Sequence, residues 1–124
     1  MKYIILLLAL VFSTTTFARQ YFQCANTDRE LSDVMVINLT AEDKGTIFIS
    51  SGMQNPEDER FVAKLELEKA ENQIHYYQIR ESHREGVVAI PSPSIGKSMD
   101  SVLVEFSFGS YQSTFSCFAK IYNE

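Results

Sequence analysis

The chain holds two cysteines near its opposite ends, in phrases that echo each other: "YFQCA" at 21–25 and "TFSCFA" at 114–119. In each, a phenylalanine precedes the cysteine by two positions, so on a strand Phe22 shares a face with Cys24 and Phe115 shares one with Cys117. A bond between Cys24 and Cys117 closes a loop of nearly the whole chain, and no C-x-x-C spacing offers a redox or metal-binding alternative. The first and last strands of such a chain are expected to lie side by side, clasped by the disulfide.

The start of the sequence supplies the compartment in which that bond can form. Lys2, the apolar run Tyr3 to Phe12 and the small-residue exit "STTTFA" predict a signal peptide over 1–18, cleaved after Ala18. The run falls well short of the ~20 apolar residues that span a bilayer, so the expectation is an exported protein, periplasmic or secreted, with no membrane span. Residues 19–124 then form a single domain, small enough for a covalent staple to matter. The formal charge of −5 becomes −6 when Lys2 leaves, a balance that favours a basic partner and argues against nucleic acid.

Between the cysteines the chain alternates in short segments broken by turn residues, which is the pattern of an all-β fold. "DVMVINLT" and "TIFIS" are β-branched and flank "AEDKG", where Gly45 is expected to supply a positive φ. In "RFVAKLELEK" the apolar Phe61, Ala63, Leu65 and Leu67 alternate with Lys64, Glu66 and Glu68. That period of two predicts a strand, against the helix propensity of the same residues, and a helix from Glu57 to Ala70 is the rival reading. "QIHYYQIR" after the "KAEN" turn, "GVVAI" and "SVLVEFSF" read as further strands, and Gly109-Ser110 as the hairpin loop into "YQSTFSCFAKIY". The fold class is therefore a small antiparallel barrel or sandwich of about eight strands, closed by one disulfide.

The motifs that could carry chemistry are poor. Ser94 and Lys97 have S-x-x-K spacing, but Pro91 and Pro93 make this a loop and remove the helix that would align them. "Gly96-Lys97-Ser98" resembles the tail of a phosphate-binding loop whose first glycine would fall on Pro91. His75 and His83 are eight apart in different contexts and do not form a metal pair, and "NPEDER" lacks the spacing of a calcium loop. The expectation is no catalytic residue, no metal and no cofactor.

What remains is binding. The segment "AIPSPSIGKSMD", with Pro91, Ser92, Pro93, Ser94, Ile95 and Lys97 at its centre, is a proline-stiffened candidate contact loop, and Tyr76, Tyr77 and Tyr111 are candidate aromatic contacts. Tyr76 and Tyr77 point to opposite faces of a strand, so one of them is expected outside. The leading reading is an exported module that engages a protein partner through loops or a sheet face, including inhibition of a basic protein. In plan it is similar to the small bacterial lysozyme inhibitors, which are also exported, disulfide-closed β barrels; the likeness is one of plan, not of motif. A barrel carrying a small apolar ligand is the alternative, with Phe115 joining the tyrosines as wall. A hydrolase built on Ser94 or on an acid pair has the least support.

Overall fold

The computed structural model describes residues 18–28, 33–50, 60–81, 84–109 and 111–122. Residues 1–17 of the expected signal peptide, His83 and the acidic run Glu57 to Glu59 lie outside the described residues. Eight strands follow in chain order: β1 (Arg19–Asn26), β2 (Val34–Ala41), β3 (Lys44–Ser50), β4 (Arg60–Glu71), β5 (Ile74–Glu81), β6 (Arg84–Pro91), β7 (Met99–Phe108) and β8 (Tyr111–Tyr122). Each pairs antiparallel with the next, and β8 returns to β1, so the meander is a closed barrel.

Alternation along the strands decides what faces in. Phe22, Ile37, Ile47, Leu65, Val104 and Phe115 are buried in the interior, whereas Lys64, Glu66, Arg80 and Lys120 are exposed on the wall. The wall is mixed, since Val62, Leu103 and Tyr122 are exposed beside those charges. No helix among the described residues is long and apolar enough to cross a membrane. At the seam Cys24 stands directly opposite Cys117 and the two sulfurs are bonded, as the matching phrases require.

Residues 60–70, claimed by both strand and helix readings, are strand throughout. Pairing with β3 on one side and β5 on the other satisfies the backbone of β4, and the period of two buries Ala63 and Leu65 while leaving Lys64 and Glu66 in water. A helix would have scattered those apolar residues around its circumference.

Three expectations about turns are corrected. Gly45 is not in the turn, which is Glu42-Asp43; it lies inside β3 opposite Leu39, where a Cβ would run into the Asn38 carbonyl. Its role is close approach of two strands, not a positive φ. The "KAEN" segment is largely strand, since β4 runs to Glu71, and the turn is Asn72-Gln73, with φ of 54° and 64° as a type I′ hairpin needs. The long proline loop is also shorter than expected: β6 continues to Pro91 and β7 begins at Met99. Gly109, with φ 61°, does open the last hairpin.

The strands β6 and β7 pair over Gly86 to Ala89 and Glu105 to Phe108, and the connection 92–98 joins them at the end beyond that ladder, where it bonds to Gln20, Gln73 and Ile121. This rim of the barrel also carries the β2–β3 and β4–β5 turns. Register shifts at Leu39/Ala41, Leu67/Lys69 and Met99/Val102 all fall near it, coiling the strands as β-bulges do.

One buried and one half-buried phenol give the barrel an alkaline limit. Burial, and after it the Glu42 and Asp43 charges, push Tyr77 well above the ordinary phenol value; burial and the hydrogen bond to Asp33 push Tyr111 up to about 12. The folded state thus holds these protons more tightly than the unfolded chain. Stability from Tyr111 is complete below pH ~10 and is lost as pH rises toward about 12. Denaturant midpoints measured at intervals from pH 8 to the alkaline limit should fall through that window, with a shallower fall for Tyr111→Phe. A flat profile would contradict the assignment.

Candidate functional site

The proline-flanked connection is fastened to the barrel end most extensively by the Gln20 side chain. Gln20, fully buried near the start of β1, donates from Nε2 to the carbonyls of Ser94 (2.6 Å) and Lys97 (2.8 Å) and accepts at Oε1 from the Gly96 N–H (2.9 Å). The Ser94 hydroxyl donates to the Pro91 carbonyl, and Ser94 itself is buried. Its alignment with Lys97 is confined to the backbone, where the Lys97 N–H donates to the Ser94 carbonyl. Of the expected contact loop, Pro93 and Lys97 are exposed; Pro91, Ser92 and Ile95 are half-buried, and Ser94 is not available as a surface contact.

The three candidate tyrosines separate. Tyr77 is the largest fully buried side chain and donates its hydroxyl to the Glu42 carbonyl at 2.7 Å, so it is core and not a surface contact. Tyr111 is half-buried at the opposite rim, donating to Asp33, with Asn26 bonded to both. Tyr76 faces out, as alternation against Tyr77 demands.

Around Tyr76 the wall is concave. Register places Tyr76, Ala89, Glu105 and Thr114 in one row across β5 to β8, and Gln78, Val87, Ser107 and Gln112 in the next. Small side chains in the middle of both rows, between the Tyr76 ring and the longer Glu105 and Gln112, leave a groove of about 350 Å³. Glu105 is exposed there, and no cation among the described residues pairs with it. Lys69 Nζ, from the neighbouring strand, already lies over the Tyr76 ring at 5.2 Å, so one face of the ring is met by the chain's own cation.

A second constellation occupies the capped rim. Ser92 Oγ is 2.7 Å from His75 Nδ1, and His75 Nε2 is 3.3 Å from Glu42 Oε2. The His75 side chain is 11% exposed and its ring stacks on that of Tyr77. The three residues come from the β6–β7 connection, β5 and the β2–β3 turn, separated by tens of positions, which is why the sequence alone did not assemble them. Among the described residues no group of His, Cys, Asp and Glu is arranged to hold a metal ion.

No protein-family model matches this chain, nor does any curated protein or solved structure. Its chemistry must be read from these two surfaces.

Proposed function

We propose that the protein is a small exported module that binds a basic protein partner through the groove on β5–β8. The carrying observation is the register row that sets the Tyr76 ring, the Ala89 floor and the exposed Glu105 carboxylate side by side. A lysine or arginine side chain laid in such a groove packs its stem on Ala89, offers its cation to the ring and pairs with the carboxylate. The net acidic chain adds a long-range attraction that speeds encounter. The disulfide supports export, since such bonds persist in oxidising compartments. Phe22, Tyr77, Phe115 and Met35 are buried in the interior and take up volume that a carrier would need for a ligand.

A basic lysozyme is the first partner to test, by calorimetric titration and by inhibition of its activity. Micromolar or tighter binding that Glu105→Arg weakens at least ~10-fold and Tyr76→Ala weakens comparably is the expected result. Absence of binding, or binding unchanged in both variants, overturns the reading.

A further inference from the structure

The geometry points to Ser92 as an activated nucleophile that accepts an acyl group from small uncharged esters, with His75 as its general base and Glu42 positioning the imidazole. An ionised carboxylate only accepts, so Glu42 takes the Nε2–H of the neutral imidazole and leaves Nδ1 as acceptor for the Ser92 hydroxyl. That is the arrangement nucleophilic catalysis requires: hydroxyl, base and a third group orienting the base, within hydrogen-bond reach of one another. The roles of the two ring nitrogens are exchanged relative to the usual triad, which is chemically allowed because either nitrogen can take the proton while the other carries one.

The hydroxyl is not needed to hold the connection in place. Ser92 is already anchored by its N–H to the Gln73 carbonyl at 2.8 Å, and the following turn is held by Gln20. Pro91 and Pro93 restrict the backbone on either side, so the nucleophile is presented from a stiff segment. Ser92 is partly exposed at the rim, while its base is shielded beneath it and the Glu42 side chain stands in solvent.

In the reaction, Ser92 Oγ bonds to the ester carbonyl carbon as its proton passes to Nδ1. The ester C–O bond then breaks and the departing alkoxide takes that proton. Water can later attack the acyl-serine, giving its proton through Nδ1 back to Oγ as the C–Oγ bond breaks. Pro93 has no N–H, so the donor that commonly follows a nucleophile and stabilises the oxyanion is missing, a loss on the order of 10²–10³ in rate at other sites. Esters with good leaving groups are accordingly the expected class, and deacylation is slow enough for the acyl-serine to accumulate.

p-Nitrophenyl acetate tests this directly, with intact mass and peptide mapping as readouts. The oxidised protein should gain one acetyl group on Ser92 at a rate on the order of 100-fold above that of its other hydroxyls, and Ser92→Ala should gain none at that peptide. His75→Gln should return Ser92 labelling to the background rate, with the fold checked by circular dichroism. Glu42→Leu should slow labelling, whereas Glu42→Gln, which keeps an oxygen acceptor, should recover most of the rate; a merely structural contact would show no such rescue. Acetylation spread over lysines and tyrosines with Ser92 unmodified overturns the proposal. If His75→Gln does not fold, the comparison of wild type with Ser92→Ala at a half-exposed position decides the matter alone.

Discussion

Replacing both Cys24 and Cys117 by alanine should cost the barrel about 4–5 kcal/mol, at least about a quarter of the roughly 5–15 kcal/mol by which folded domains are stable. The two cysteines are 93 positions apart, so their bond removes from the unfolded ensemble nearly every conformation in which the chain ends separate. In the folded barrel β1 and β8 are already paired from Arg19–Tyr122 to Asn26–Phe115, so the variant should keep the same strand content once folded. The effect is therefore expected in the guanidinium midpoint and in a melting temperature lower on the order of 20 °C, without a change in far-ultraviolet dichroism of the native state. Both sulfurs are nearly inaccessible, 5% and 3% exposed at the residue level, so reductant added to folded protein is a poorer test than the double substitution. An unchanged midpoint would mean that the β1–β8 ladder alone holds the closure.

The same two cysteines mark how far the sequence could be read. Phe22 with Cys24 and Phe115 with Cys117 carry both the face assignment and the neighbour relation of the terminal strands, because alternation and covalent distance are local rules. Strand β4 was legible for the same reason, its period of two outweighing the propensity of its leucines, glutamates and lysines. Turn positions were less legible. Gly45 has the composition of a turn residue but owes its place to a carbonyl in the adjacent strand, a constraint visible only once β2 and β3 are paired.

The candidate sites sit at the end of that scale. Tyr76 could be marked as outward by parity against Tyr77, yet the groove beside it depends on Ala89, Glu105 and Thr114 sharing its row across three further strands. Ser92, His75 and Glu42 meet only because a connection, the start of β5 and a turn come together on one rim, and bulges nearby set how far the strands reach. The sequence drew attention to Ser94, two residues away, through its spacing to Lys97; the 3-10 turn Ser92–Ser94 buries that serine and leaves Ser92 facing the imidazole.

Within β8, Phe115→Ala should lower stability by about 3–5 kcal/mol and Phe118→Ala by no more than about 0.5. Phe115 is fully buried and meets Phe106 edge to face, with ring centres 6.4 Å apart, so its removal leaves a cavity that stiff neighbouring strands cannot close. Phe118, three residues on, is 41% exposed and lies on the outer wall beside Gln23. The contrast tests register, since a slip of β8 by one residue would turn Phe118 inward, Phe115 outward and exchange the two costs. Repeating the pair in the Cys24→Ala/Cys117→Ala background separates the two devices that fix that register. If the apolar alternation of β8 fixes it, the contrast persists without the disulfide; if the clasp is what holds β8 in step with β1, the two costs converge.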